Sequence, residues 1–128
     1  MPLQAITILP ENALSIIRGT SKTLELVVTD ADGKAVNLTG GKVVMTVKAT
    51  VTDTTPLVQK SSDVPTQAEL TVPREGKARI YLVPADTQTM TVRQYVFDVW
   101  LVLASGKRFA VVPPSIFEVQ AGVTLLAL

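Results

Sequence analysis

Residues 95–109, with the sequence YVFDVWLVLASGKRF, decide the fold of this chain. From Tyr95 to Leu103 the residue types suit a long β-strand, and a Gly-containing turn then leads into a second run that starts at Lys107. A strand, a tight turn with Gly and a return strand together predict a β-hairpin. Because side chains alternate along a strand, Trp100 lies on the face opposite Tyr95, and both faces are apolar. A small domain can cover one of these faces with its own core, so the other face indicates a piece of an assembly.

The rest of the chain has the pattern of further strands. Alternation of apolar and polar residues predicts strands at 22–29, 42–48 and 77–83, a longest strand at 93–104 with its return strand at 107–112, and shorter strands at 57–59 and 67–72. Residues 50–66 are polar and interrupted by proline, which predicts a long mobile connection that includes the strand at 57–59. No window long enough for an amphipathic helix keeps an apolar period of about 3.6 residues. Pro113 and Pro114 interrupt the last strand, and proline in a sheet is confined to edges and bulges. We therefore predict an all-β antiparallel sandwich of about seven strands, with the last strand at an edge.

Composition excludes many kinds of chemistry. The 128 residues include no Cys and no His, which removes disulfides, thiolate and imidazole metal sites, and nucleophiles activated by His. The net charge is +1, with 12 basic and 11 acidic residues, so no electrostatic footprint for nucleic acid or a membrane surface is present. We expect no catalytic residues, no metal, no cofactor and no small-molecule substrate.

Three features could indicate a calcium, catalytic or carbohydrate-binding site, but each has a simpler explanation. Asp30 and Asp32 before Gly33 resemble the start of a calcium loop, but a glycine stands where the bidentate Glu is needed, so we predict a hairpin turn. Asp86 and Asp98 could form a glycosidase pair only if a cleft separated them, and nothing in the sequence indicates one. A single Trp without neighbouring aromatics makes carbohydrate binding the weaker alternative to a protein contact.

The order of turn and core motifs resembles a known family. Ile16-Ile17-Arg18-Gly19 before a strand, Asp32-Gly33, Val36-Asn37-Leu38-Thr39-Gly40, residues 95–99, Ser105-Gly106-Lys107 and Phe117-Glu118-Val119 carry the resemblance. This order is similar to the immunoglobulin-like domains of phage tail and baseplate proteins, in particular the N-terminal domain of baseplate upper proteins. The resemblance implies an immunoglobulin-like sandwich at 13–119, preceded by an N-terminal arm at 1–12 and followed by an apolar C-terminal arm at 120–128.

Within that fold, the resemblance implies that Tyr95 points inward at a corner, its hydroxyl returning to nearby backbone. The period of two then places Phe97, Val99, Leu101 and Leu103 inside as well. A three-residue hairpin turn with Gly106 at the bulge pairs Phe109 with Leu101 and Val111 with Val99, which keeps both inside. The predicted core consists of Leu24, Leu26, Val28, Met45, Val47, Ile80, Leu82, Tyr95, Phe97, Val99, Leu101 and Phe109.

On the outer face the same period of two places the candidate protein-contact residues Val96, Trp100 and Val102, with Val44 from the neighbouring strand. Three further candidate contact residues, Leu125, Leu126 and Leu128, lie in the apolar arm.

We therefore expect a non-enzymatic structural subunit of a phage virion, located in the tail, baseplate or neck. Its partners would be other virion subunits and copies of itself, and it would be made in the bacterial host cytoplasm. The alternatives are a capsid decoration protein and a host-receptor or carbohydrate-binding module.

Overall fold

A computed structural model describes residues 3–8 and 14–124 of the chain. Strand-forming runs rich in Val, Thr and Ile become strands, and the segments with Pro and Gly become the connections between them. The short helical segments are a 3-10 turn at Pro73–Glu75 and the one-turn helix α1 at Pro84–Thr87. The strands are β1 Leu3–Ile8, β2 Leu14–Ile17, β3 Lys22–Asp30, β4 Lys42–Lys48, β5 Val58–Ser61, β6 Ala68–Val72, β7 Lys77–Leu82, β8 Arg93–Val102 and β9 Arg108–Gln120.

Two sheets form an immunoglobulin-like β-sandwich, as predicted. One sheet has the order β1–β3–β7–β6 and the other the order β2–β9–β8–β4–β5. In immunoglobulin domains the hairpin of the last two strands pairs with a third strand in the same sheet. Here the hairpin is β8–β9, and the third strand is β4. All pairs are antiparallel except β2 and β9, which run parallel. The described residues contain nine strands rather than about seven, because β5 extends one sheet and the opening strand is divided between both sheets.

The prediction that the last strand lies at an edge is wrong for the end of β9 and confirmed for the part that contains the two prolines. Strand β9 lies between β8 and β2, and β2 pairs with its residues Phe117 to Gln120. Pro113 and Pro114 are accommodated by a bulge: Phe97 pairs with Ser115 and Val99 with Val112, so β9 has one more residue than β8 between these pairs. A bulge releases a proline from ladder hydrogen bonding, and no described strand pairs with the other side of this part of β9, so both prolines lie where a sheet tolerates them.

The predicted core is confirmed with one exception. Phe109 is only partly buried, although it packs against the core. Eleven of the predicted residues are buried together: Leu24, Leu26, Val28, Met45, Val47, Ile80, Leu82, Tyr95, Phe97, Val99 and Leu101. The Tyr95 hydroxyl donates a hydrogen bond of 2.7 Å to the carbonyl of Thr91, as the corner motif implied. Leu14 and Val43 are buried as well, and the sequence did not single them out.

The two ends of the chain differ in what the structure describes. Residues 3–8, placed in an N-terminal arm by the sequence analysis, form β1 in antiparallel register with β3 from Leu3↔Asp30 to Ile8↔Leu26. The last strand ends at Gln120, close to the predicted end of the sandwich. Val123 is fully exposed, whereas Leu125, Leu126 and Leu128 lie outside the described residues.

Candidate protein-contact face

The solvent side of the β2–β9–β8–β4–β5 sheet is the candidate site, and we call it the contact face. Strands β4 and β8 form its centre because they pair in register from Lys42↔Val102 to Lys48↔Val96. Their inward residues fill the core, so their alternate residues necessarily project to solvent. The structure thus brings together the four predicted residues Val44, Val96, Trp100 and Val102.

Trp100 occupies the middle of an apolar row across three strands. Val44 lies directly opposite it on β4, and Ala110 lies opposite it on β9. Trp100 is 43% exposed, so a large part of its side chain faces solvent. A second apolar pair, Val96 and Ile116, stands further along β8 and β9, with Ile116 exposed. Several large apolar side chains therefore face solvent on one sheet.

A polar row separates these apolar pairs. The Trp100 indole N–H donates a hydrogen bond of 3.0 Å to the Asp98 carboxylate, and Thr46 faces Asp98 from β4. The Gln59 amide in turn donates to the Thr46 hydroxyl at 3.2 Å. Since Asp98 accepts the indole hydrogen bond, the polar atom of Trp100 has a partner and the rest of the ring is left for apolar contact.

The contact face is a trough of about 560 Å³. The sheet forms its floor, and the connection between β4 and β5 contributes Val51, Thr54 and Pro56 to its lining. The sequence analysis treated residues 50–66 as a long mobile connection with a strand at 57–59. In the structure the strand of this segment is β5 at Val58–Ser61, and the preceding turns form part of the trough instead.

Most of the charged side chains that line the trough are cationic. Lys42, Lys48 and Arg108 contribute three positive charges, against one negative charge from Asp98. Lys42 forms a surface ion pair of 3.1 Å with Asp63. Among the side chains that the structure describes, Lys48 and Arg108 take part in no ion pair. These two cations remain available to a partner.

The solvent side of the β1–β3–β7–β6 sheet, which we call the opposite face, has a different character. Arg79 donates to Glu25 at 2.9 Å, and the Tyr81 hydroxyl donates to Glu69. The hydrogen bond to Glu25 raises the pKa of Arg79, and the hydrogen bond to Glu69 raises the pKa of Tyr81. Val27 is the exposed large apolar residue nearest the centre of β3 on this side. Charged and polar side chains at these positions are typical of a solvated face, in contrast with the apolar row around Trp100.

One ion pair was missed by the sequence analysis. Lys60 and Asp86 meet at 2.8 Å with side chains only 8% and 14% exposed, and Asp86 also accepts the backbone N–H of Val83 at 2.8 Å. The signal for Lys60 was its position, because alternation from buried Val58 places it on the inner side of β5. The ion pair links β5 to α1. Because each side chain has its partner within the chain, we assign the pair a structural role.

The other candidate polar groups have structural roles as well. The Asp30 carboxylate accepts the backbone N–H groups of Asp32 and Lys34 at 2.9 and 3.1 Å, as a turn residue does. Asp86 pairs with Lys60, whereas Asp98 lies on the contact face, so they do not form a carboxylate pair. Across residues 3–8 and 14–124, no cluster of three or more metal-ligating side chains of the His, Cys, Asp and Glu types occurs. In the same part of the chain, no helix has the length and hydropathy for a membrane crossing.

Comparisons with known proteins support the fold. Neither a family model nor a curated protein matches the sequence. Among solved structures, CopC from Methylosinus trichosporium OB3b is similar over 97% of this chain and 99% of that chain, with a TM-score of 0.53 and 12% sequence identity. Murine CRIg is similar over 95% and 99% of the two chains, with a TM-score of 0.46 and 10% identity. Dimeric latent PorU from Porphyromonas gingivalis is similar over 96% of this chain and 13% of its own, with a TM-score of 0.47 and 16% identity. The similarity to CopC concerns the fold alone, and the other two are too remote to carry an argument.

Proposed function

We propose that this chain is a non-enzymatic structural subunit that acts through protein–protein contacts of the contact face. The observation that carries the proposal is the difference between the two outer faces of one sandwich. The opposite face has paired charges, whereas the contact face exposes Trp100 among valines. Aromatic residues are enriched in interfaces, and a buried Trp is among the residues that dominate binding energy.

The contact face is large enough for a specific interface. Its strands β2, β9, β8, β4 and β5 have 4, 13, 10, 7 and 4 residues, which at about 3.3 Å per residue and about 4.8 Å between strands give a sheet face of roughly 600 Å² in projection. Side-chain relief raises the accessible area above the projected area, toward the roughly 800 Å² per partner of a standard interface. A partner on this face would therefore form a contact of ordinary size.

The finer proposal is a subunit of a phage tail, baseplate or neck, with capsid decoration as the nearest alternative. Its support is the resemblance of the turn and core motifs to phage immunoglobulin-like domains. Symmetric particles repeat each contact many times, so a contact of moderate affinity suffices for assembly.

Incorporation into particles tests both levels of the proposal. Phage particles would be prepared with the wild-type chain, with Trp100→Glu, or with Val92→Glu, a control at a loop residue that is also 43% exposed. Quantitative mass spectrometry of purified particles should detect the wild-type and Val92→Glu chains and should find Trp100→Glu depleted. If Trp100→Glu is incorporated at the wild-type level, the contact face has no role in assembly. If the wild-type chain is missing from particles, the virion assignment is wrong.

A carbohydrate-binding module is the second candidate, favoured by one observation. The exposed indole of Trp100 stands beside polar side chains of Asp98, Thr46 and Gln59, a combination that can stack on a sugar and bind its hydroxyls. Glycan-array binding of the folded chain, abolished by Trp100→Ala, would support this candidate over the protein contact.

A further inference from the structure

The shape of the contact face restricts what can fill it. The turns at Val51, Thr54 and Pro56 stand at one side of the trough, so the surface is concave rather than flat. Two concave faces placed against each other would enclose about twice the volume of one trough as unfilled space. Protein interfaces pack about as densely as protein interiors, so such a void is unfavourable. Packing therefore disfavours a second copy docked through the same face.

The charge of the trough argues in the same direction. Self-docking would bring together two troughs that each have Lys42, Lys48 and Arg108 in their lining against a single Asp98. Like charges facing each other across an interface disfavour binding, whereas a partner of opposite charge is attracted and oriented. Because Lys48 and Arg108 have no ion-pair partner in the described chain, carboxylates of a partner would gain new contacts without breaking old ones.

From these observations we infer that the trough binds an extended, acidic segment protruding from a partner protein. The apolar side chains of the segment lie on Val44, Val96 and Trp100, and its carboxylates lie near Lys48 and Arg108. About seven extended residues match the seven-residue length of β4. This inference rests on the proposed function and specifies the chemistry of the partner.

Trp100 allows the inference to be tested directly, since it is the only Trp of the chain. Its fluorescence reports on the trough without a label. Three seven-residue peptides with blocked ends serve as probes: one alternating Glu and Val, one alternating Lys and Val, and one alternating Glu and Ser. The full chain is titrated with each peptide at low and at high salt.

We expect saturable binding of the Glu/Val peptide with a blue shift of the Trp100 emission, and weaker binding at high salt. The Lys/Val and Glu/Ser peptides should bind at least tenfold more weakly. Lys48→Gln and Arg108→Gln should each lower the affinity about two- to fivefold, the effect of one exposed ion pair. Lys77→Gln, an exposed lysine on the sheet that carries the opposite face, is the control and should leave the affinity unchanged.

Asp98→Asn provides a test in the opposite direction. The asparagine side-chain oxygen can still accept the indole hydrogen bond, while the negative charge in the trough is lost. The Glu/Val peptide should therefore bind about two- to fivefold more tightly to this variant, because a like charge near its carboxylates is gone. Unchanged or weaker binding would show that charge does not select the segment.

Other outcomes overturn the inference and separate it from the proposed function. If the Lys/Val peptide binds as tightly as the Glu/Val peptide, the segment need not be acidic. If the Glu/Ser peptide binds as tightly, the segment need not be apolar, and either result overturns the inference. If no peptide binds at millimolar concentration while Trp100→Glu still blocks incorporation, the inference of an acidic segment is wrong, and the proposed role of the contact face in assembly is retained. A monomer–dimer equilibrium that Trp100→Glu abolishes would assign the face to a second copy instead. Binding of an oligogalacturonate in place of the Glu/Val peptide would assign the trough to a carbohydrate.

Discussion

Phe97→Ala tests whether the inward side of β8 holds the two sheets together. Phe97 is 2% exposed, and its ring packs edge-on against Phe117 with 6.1 Å between centroids and an interplanar angle of 71°. An aromatic side chain buries about 150–250 Å², which at about 25 cal/mol per Å² corresponds to about 4–6 kcal/mol as an upper estimate. The replacement retains only one methyl group and leaves a cavity, so we expect the free energy of unfolding to fall by about 3–5 kcal/mol.

Equilibrium unfolding in urea, followed by the fluorescence of Trp100, measures this loss. The control is Ile116→Ala on the exposed side of β9, which should cost under about 1 kcal/mol because its side chain is 46% exposed. Phe97→Leu retains most of the volume and should fall between the two variants, which keeps the test informative if Phe97→Ala does not fold. A double-mutant cycle with Phe117→Ala should give a coupling of about 0.5–1.5 kcal/mol for the aromatic pair. Equal costs for Phe97→Ala and Ile116→Ala would refute the inward assignment.

Three other predictions concern polar groups. Tyr95→Phe removes the corner hydroxyl and leaves a backbone carbonyl without its donor, so we expect a loss of about 1–3 kcal/mol in the same urea experiment. Asp86→Ala should cost about 3–5 kcal/mol, because it leaves the buried Lys60 unpaired; a loss under about 1 kcal/mol would show the pair to be solvated. The hydrogen bond from Tyr81 to Glu69 raises the pKa of Tyr81, so its contribution to stability is complete below pH about 10 and is lost as the pH rises through the folded-state pKa. Ultraviolet titration in a Tyr95→Phe background should show that Glu69→Gln lowers the pKa of Tyr81, and an unchanged midpoint would contradict the assignment.

The strand pattern and the orientation of β8 could be predicted from the sequence because both follow from alternation. Tyr95, Phe97, Val99 and Leu101 are buried, and the residues between them face outward, as a period of two requires. The contact face follows from the same argument, since a strand that is apolar on both sides must expose one of them. Val44 beside Trp100 is a consequence of antiparallel register.

The features that could not be predicted depend on geometry that alternation does not encode. Val111 was expected to pair with Val99, but a bulge makes Val112 its partner and buries both valines. The edge position predicted from Pro113 and Pro114 holds for that part of β9, whereas the pairing of β2 with Phe117 to Gln120 had no signal in the sequence. The wall of the trough arises from a polar connection whose turns have no periodic signal. Its position relative to Trp100 is set by tertiary packing.

Protection of Trp100 within the assembled particle tests the central claim most directly. Hydroxyl-radical footprinting oxidises exposed Trp and Tyr side chains, and Tyr81 on the opposite face is an internal control in the same chain. Oxidation of Trp100 should fall at least fivefold between the free chain and purified particles, while oxidation of Tyr81 stays within twofold. If Trp100 is oxidised at the same rate in both states, or if Tyr81 is the residue protected, the contact face is not the surface by which this protein assembles.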